Sequence, residues 1–331
     1  MAHLTPKENY FRMLRGEIPE YVPTFGFGMP MGPPELAGMV GGFEGERLDM
    51  FGVPYVTEWN ANNGALPAPG KFILKDITKW RDVIKRPEIL DQIDWQLCAD
   101  RDLANYNPET IHSTMVSVGN GYFMMLTSFM GFDEGLIACL EYPEEVKDLL
   151  NFICDLNVEI GKKYIHYYKP ETFMLGDDIA HERAPFVSEP VFLELFEPVW
   201  RRHVETFLDA GCFAEHHNCG MFGPFVKHIV NMGFHAWNPA EAMNDLVAIH
   251  EEFLGRIALV GGFDARGKAC YPETTEEEIR AMVKETMDAL APGGSFAFGG
   301  FIMGPPGDPW NAERNGWIAD EYEKRKFDYY N

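Results

Sequence analysis

The chain has 331 residues, 46% of them hydrophobic and 24% charged, with 28 Lys and Arg against 51 Asp and Glu. Its net charge of -23 would repel a phosphate backbone or an anionic lipid surface, so neither nucleic acid nor a membrane is an expected partner. We find neither a signal-peptide core at the beginning nor an apolar run of about 18 residues, and we expect a soluble, cytoplasmic protein. The six cysteines lie far apart, which argues against a disulfide framework.

The first 70 residues predict an N-terminal helix followed by a loop-rich cap. Thr5, Pro6 and Glu8 have the spacing of a helix start, with the hydroxyl as cap and proline in the first turn. Between residues 19 and 69, Gly and Pro interrupt the chain too often for long helices, while its apolar content argues against disorder. We therefore expect this segment to pack on a larger body.

Amphipathic helices alternate with short apolar strands in the second half of the chain. Helical spacing of apolar residues over 146–167 is followed by an apolar run at 172–175. Further helices are predicted over 188–210, 222–232, 246–254 and from the capping pair Thr275 and Glu278, and further strands over 212–215, 234–237, 257–260 and 295–298. Strands that are apolar throughout and separated by such helices are typical of a parallel sheet covered on both faces.

A sheet of this kind either closes into a barrel or stays open and doubly wound. The chain contains neither GxGxxG nor GxxxxGK[ST], so the phosphate cradle of the common open-sheet folds is missing. Barrels of about this length occur as one domain. We therefore expect residues 1–331 to form a single α/β domain, a TIM-type (β/α)8 barrel with ligands at the carboxyl ends of its strands.

The strongest candidate site is His217-Asn218-Cys219, which follows a predicted strand and precedes Gly220. Residues two apart in a strand project to the same side, so the imidazole and the thiolate could bind one metal ion, and both suit zinc. A catalytic zinc ion usually has three protein ligands, so this pair alone does not complete a site. The alternative is a buried thiol beside a hydrogen-bonded core histidine.

Acidic residues follow two other predicted strands. Asp177 and Asp178 end one strand, with Glu182 shortly beyond them, and these acids could orient a substrate, accept a proton or complete a metal site. Asp264 follows another strand and is a candidate for substrate binding. The competing interpretation is that the acids cap turns.

Amide and aromatic side chains in the first half could line a pocket for a ring with polar edges. A hydrogen-bonded loop, or a core filled by methionine, accounts for the same residues equally well. The substrate-binding candidates there are Met29, Trp59, Asn60, Asn120 and Tyr122.

Five segments make the chain resemble the uroporphyrinogen decarboxylase superfamily over nearly its whole length. They are LTPKENYFRMLRGEIPEYVP, MLGDDIA, AEHHNCGMFGPFVKHIVNMGFHAWNPAE, LVGGFDAR and LAPGG. The resemblance implies a TIM-type barrel with its cleft at the carboxyl ends of the strands.

That superfamily has two main functional branches. True decarboxylases hold the substrate carboxylates with an RQAGR-like segment after the first strand, where this chain has FGFGMP at residues 25–30. The other branch contains cobalamin-dependent methyltransferases, which exchange a methyl group with a corrinoid on a separate protein and often hold zinc by HxC and a later cysteine. For this chain the resemblance implies a partner corrinoid protein carrying cobalamin, and zinc at His217 and Cys219.

The later cysteine of that branch has no counterpart here, because residues 294–301 contain none. In this respect the chain is similar to members that demethylate aromatic methyl ethers of the veratrole, guaiacol or vanillate type, in which acidic ligands replace cysteine. The resemblance thus implies a small aromatic substrate and a third ligand among Glu182, Asp178 and Glu215. The candidate catalytic acids are Asp177, Asp178 and Glu182, one of which could hold the ether oxygen as negative charge develops there.

Two other functions remain open at this point. The first is a decarboxylase that acts on a smaller carboxylated substrate with the same acids and no metal. The second is a barrel that binds a corrinoid protein or a small molecule without chemistry. The oligomeric state is also open, a homodimer included.

Overall fold

The structure is a computed structural model that describes residues 4–24, 29–36, 42–58, 64–107, 109–119, 121–305 and 307–330. The strands in these residues are β1 (Met29–Met31), β2 (Glu46–Leu48), β3 (Pro54–Glu58), β4 (Gly64–Pro67), β5 (Thr114–Ser117), β6 (Thr172–Gly176), β7 (Phe213–His217), β8 (Ala236–Ala240), β9 (Ala258–Gly262) and β10 (Phe296–Gly299). One parallel sheet has the order β1-β5-β6-β7-β8-β9-β10, and β2, β3 and β4 form a small antiparallel sheet.

Helices cover the parallel sheet and connect its strands. They are α1 (Pro6–Leu14), α2 (Trp80–Val83), α3 (Trp95–Leu103), α4 (Tyr122–Met130), α5 (Phe132–Glu141), α6 (Pro143–Tyr168), α7 (Glu189–Val191), α8 (Glu197–Leu208), α9 (Val226–Met232), α10 (Leu246–Phe253), α11 (Glu276–Leu290) and α12 (Pro309–Arg325). Taken singly, none of the described helices is long and apolar enough to cross a membrane. Helices α4 and α5 together have the length and apolar composition of a membrane-spanning segment, but the pair is bent by 110°.

Both edges of the parallel sheet approach the same stretch of chain. Thr24 pairs in parallel with Phe298 of β10, and shortly afterwards β1 pairs with β5. The α/β fold is therefore consistent with the predicted barrel. Within the described residues the parallel sheet has seven strands rather than the eight of the predicted barrel, and β3 belongs to the antiparallel sheet.

The predicted alternation of helices and strands in the second half is confirmed, with one irregular helix. The helix expected over 188–210 contains a π-helical turn at Phe192–Phe196, between α7 and α8. Pro198 has no N–H to donate to the carbonyl four residues earlier, so the regular α-helical pattern restarts at Glu197. Ser188 occupies the N-cap position but makes no capping hydrogen bond with its side chain.

The N-terminal segment begins as predicted and then contains more strand structure than expected. The Thr5 side chain accepts a hydrogen bond from Glu8 N and caps α1. Although Gly and Pro are frequent over 19–69, this segment supplies all three strands of the antiparallel sheet.

Helix α1 lies against one face of the parallel strands and reaches toward the candidate site. Tyr10, Met13 and Leu14 form a buried apolar cluster, together with Ala236 of β8, Ala258 and Val260 of β9, and Ala297 of β10. The intervening residue Leu259 belongs to the larger core beneath the outer helices, as alternation along a strand requires. This packing brings the Tyr10 hydroxyl to Glu215 of β7.

Candidate metal site

Asp178, His217 and Cys219 lie together at the carboxyl ends of β6 and β7. Gly176 and His217, the last residues of these strands, are partners in the sheet register. The ligand atoms of the three side chains all lie within 4.8 Å of one another, and His217 Nε2 is 3.8 Å from Cys219 Sγ. Imidazole nitrogen, thiolate sulfur and carboxylate oxygen are the donors that zinc binds in proteins.

The loop after β7 is shaped so that Cys219 faces Asp178. Cys219 N donates a hydrogen bond to Asp178 Oδ1 at 2.8 Å. Gly220 then turns the chain with a φ of 83°, and a Cβ at this position would lie 2.7 Å from the carbonyl oxygen of His181. Glycine is therefore required by both the backbone conformation and the close contact.

Negative charge surrounds the Cys219 thiol. Burial raises its pKa, and the neighbouring carboxylates of Asp178 and Glu241 add to that effect. Arg266 opposes it and pairs with Glu241 at 2.6 Å. The thiolate form therefore needs a nearby cation, and a bound metal ion would supply one.

A chain of buried hydrogen bonds lies behind His217. Its Nδ1 is 2.8 Å from Asn238 Oδ1, and Asn238 Nδ2 donates to Glu215 Oε2 at 3.2 Å. The Tyr10 hydroxyl donates to the same Glu215 oxygen at 3.1 Å. Burial raises the pKa of Glu215 to about 7, and the bonds from Tyr10 and Asn238 oppose that rise. Glu215 thus lies behind the imidazole and outside the cluster of ligand atoms.

Asp177 has a different environment from its neighbour Asp178. Its carboxylate is fully buried and accepts backbone N–H bonds from residues 122, 123 and 124, at the start of α4, as well as one from Trp200 Nε1 at 2.8 Å. A Cβ on Gly121 would lie 2.2 Å from this side chain. Burial raises the pKa of Asp177 to about 7, against those four donors. Asp177 therefore anchors α4 to the end of β6.

The remaining candidate residues that the structure describes lie apart from the metal cluster. Glu182 has a 64% exposed side chain and pairs with Arg183. Tyr122 is fully buried, and its hydroxyl bonds to His203 Nδ1 at 3.0 Å. The exposed Asp264 accepts hydrogen bonds from the backbone N–H groups of residues 266 and 267, as a turn cap does. Trp59, Asn60, Asn120 and the side chain of Met29 lie outside the described part of the chain.

Two residues of the site were missed by sequence reasoning. Asn238 bonds to His217, and Glu241 accepts a hydrogen bond from Gly220 N. Both lie in or directly after β8, which pairs with β7. The run Asn238-Pro-Ala-Glu241 at the end of a predicted strand was the signal that could have identified them.

The sequence and the fold both relate the chain to known proteins. Residues 112–305 match the family described as "Uroporphyrinogen decarboxylase (URO-D)". This match covers more than half of the chain, which belongs to the uroporphyrinogen decarboxylase family. A solved structure of a methyltransferase from Methanosarcina mazei resembles it with a TM-score of 0.60 and 13% sequence identity, over 97% of this chain and 99% of the other. At this identity the similarity concerns the fold. No curated protein matches the sequence.

Proposed function

We propose that the protein is a corrinoid-dependent methyltransferase that demethylates an aromatic methyl ether. In this reaction the bond between the methyl carbon and the ether oxygen breaks, and a bond from that carbon to the cobalt of a reduced corrinoid on a separate protein forms. The oxygen keeps the electron pair of the broken bond and takes up a proton. The cluster of Asp178, His217 and Cys219 carries this proposal, and the fold shared with the Methanosarcina methyltransferase supports it.

The residues of the cluster fit a catalytic zinc ion. Three protein ligands of nitrogen, sulfur and oxygen type leave a fourth position for a substrate oxygen. Bound zinc would act as a Lewis acid toward the ether oxygen as negative charge develops there.

The protein's own residues position the ligands. Cys219 N holds Asp178 through its Oδ1, and Met221 N donates to the carbonyl of His181, joining the loops that follow β6 and β7. Aromatic rings pack on the loop after Asp178, where Phe186 lies. Its ring stacks on Phe123 at 5.5 Å and is 4.8 Å from the ring of Phe132 in an edge-on arrangement.

The proposal includes a complete eight-stranded barrel whose mouth stays open to a second protein. The methyl carbon must lie in line between the ether oxygen and cobalt, so the corrinoid has to reach the same end of the sheet as the metal cluster. The described parallel strands and the pairing of Thr24 with β10 support this arrangement.

An anaerobic assay tests the proposed reaction. Zinc-loaded protein is mixed with a reduced corrinoid protein and, in turn, with veratrole, guaiacol and vanillate, while the corrinoid absorbance and the phenolic product are followed. We expect methylcobalamin and the demethylated phenol with at least one ether, and loss of both products in Cys219→Ser. The control Cys139→Ser changes a buried thiol on α5, outside the site, and retains the activity.

Two results would contradict the proposal. Failure of every ether, with zinc bound and the corrinoid fully reduced, would refute the demethylase. Release of CO₂ from a carboxylated substrate by metal-free protein would instead identify a decarboxylase.

A further inference from the structure

We infer that Glu215, acting through Asn238, determines which ring nitrogen of His217 carries the proton. Glu215 and Asn238 are then positioning residues of the metal site, and in this the inference rests on the proposed function. The ligand nitrogen is set by a directed chain of hydrogen bonds that begins at Tyr10 on α1, outside the loops that hold the metal ligands.

The contact between His217 and Asn238 fixes the position of the imidazole proton. Nδ1 of the imidazole lies 2.8 Å from Asn238 Oδ1. An amide oxygen accepts hydrogen bonds and cannot donate one, so Nδ1 must carry the proton. In a neutral imidazole the lone pair then lies on Nε2, the nitrogen that faces Cys219 Sγ at 3.8 Å. This tautomer is the one that places a ligand atom in the cluster.

Glu215 makes Asn238 present its oxygen, rather than its NH₂ group, to His217. Its Nδ2 donates to Glu215 Oε2 at 3.2 Å, and a carboxylate can only accept. The Tyr10 hydroxyl donates to the same oxygen, so both partners treat Glu215 as an acceptor. The carboxylate therefore fixes the orientation of the amide, and the amide fixes the tautomer of the imidazole.

The surroundings indicate that this chain of bonds does more than hold the fold. Tyr10, Glu215 and Asn238 are 1%, 6% and 1% exposed, and Tyr10 otherwise packs in the apolar cluster between α1 and the strands. An acid in such a place is destabilising relative to an apolar side chain of similar size. Packing alone gives no reason for three polar groups that end on a metal ligand.

Removing the acceptor at position 215 tests this chain of bonds. Glu215→Leu leaves the Asn238 NH₂ group without its carboxylate partner, so the orientation of the amide is no longer fixed. The amide can then turn over and present its NH₂ group to His217, which moves the imidazole proton to Nε2. Adding Asn238→Asp reverses this effect, since an aspartate offers His217 only acceptor oxygens. The double variant therefore restores the original direction of the bond to His217.

The tautomer is measured on metal-free protein labelled with ¹⁵N-histidine, in alkaline buffer. Long-range ¹H–¹⁵N spectra distinguish the two tautomers, and the signal that disappears in His217→Gln identifies the residue. We expect Nδ1–H in the unchanged protein, a shift toward Nε2–H in Glu215→Leu, and a return to Nδ1–H in Glu215→Leu/Asn238→Asp. The same tautomer in all three proteins, or Nε2–H in the unchanged one, would overturn the inference.

Zinc affinity provides the second measurement, by competition with a chromophoric chelator. We expect Glu215→Leu to weaken zinc binding by about 10- to 100-fold, as loss of an outer hydrogen bond to a ligating histidine does, and the double variant to recover most of it. The matched control is Glu321→Leu, which changes a buried glutamate on α12 that pairs with Arg325, and it retains the original affinity. Equal affinity in Glu215→Leu and the control would contradict the inference. If the unchanged protein bound no zinc, the proposed function would fail, whereas the tautomer measurement would still decide this inference.

Discussion

The neighbouring acids Asp177 and Asp178 should respond in opposite ways to the same substitution. Asp177 is fully buried, and its four hydrogen-bond partners are all N–H donors that tie α4 to the end of β6. Asp178 accepts a bond from Cys219 N and offers its carboxylate to the metal cluster. We therefore expect Asp177→Asn to destabilise the fold, and Asp178→Asn to remove metal affinity from a stable fold.

The expected destabilisation follows from the bonds that Asp177 makes. One carboxylate oxygen accepts three of the N–H bonds and the other accepts the bond from Met124 N. An asparagine keeps only one acceptor oxygen, so its NH₂ group faces at least one buried N–H, which loses its partner. Leaving a buried N–H group without a partner costs about 1–3 kcal/mol, and the free energy of unfolding should fall by roughly that amount. In Asp178→Asn the amide oxygen still accepts from Cys219 N, which predicts a change below about 1 kcal/mol.

Urea denaturation followed by circular dichroism measures both values, and zinc competition measures the second property. Asp177→Asn, where it folds, should keep its zinc affinity, whereas Asp178→Asn should lose at least about tenfold. The reasoning would be refuted if the two variants lost similar stability, or if Asp177→Asn had the greater effect on zinc binding.

Three further predictions follow from other parts of the fold. Gly220→Ala should lower both the free energy of unfolding and the zinc affinity, since its Cβ would meet the carbonyl of His181. The control Gly211→Ala has the same φ of 83° and open space around it, so its free energy of unfolding should fall only by the backbone strain of about 1–2 kcal/mol, and its zinc binding should be unchanged. Burial lowers the pKa of His203 to about 3, so between pH ~6.5 and ~3 the unfolded chain binds a proton that the folded chain does not, and the free energy of unfolding falls by about 1.4 kcal/mol for each unit that the pH falls. Denaturation of His203→Gln across this range should show a dependence of that free energy on pH that is smaller by this amount, and an unchanged dependence would contradict a buried, neutral His203. Thr275→Ala removes half of a reciprocal cap on α11 and should reduce the free energy of unfolding by about 1 kcal/mol, with no change in zinc binding.

Elements with a strong local pattern were predictable from the sequence. The capping box of Thr275 and Glu278 is present as the spacing indicated, and the strands that carry the acids and the histidine lie where apolar runs precede polar residues. The π-helical turn before Pro198 and the antiparallel sheet in the first part of the chain were not predicted. The first depends on one missing N–H within an otherwise helical pattern, and the second depends on pairing between segments that Gly and Pro separate.

The site was predictable by residue type and only in part by role. His217 and Cys219 stand out by spacing, but choosing Asp178 over Glu182 and Glu215 requires the path of the loop and the direction of each side chain. Glu182 faces solvent beside Arg183, while Glu215 projects behind the imidazole. Asn238 acts from the neighbouring strand, a relation that depends on the register of two strands and is not visible in either segment alone.

Titration of the metal-free protein with Co²⁺ probes the three proposed ligands together, because a cobalt ion bound by a thiolate has a charge-transfer band in the near ultraviolet and visible bands that report its coordination. We expect saturable, stoichiometric binding with a thiolate band that disappears in Cys219→Ser, and visible bands that change in Asp178→Asn and His217→Gln. Absence of binding to the unchanged protein, or an identical thiolate band in Cys219→Ser, would contradict a metal site formed by these three residues.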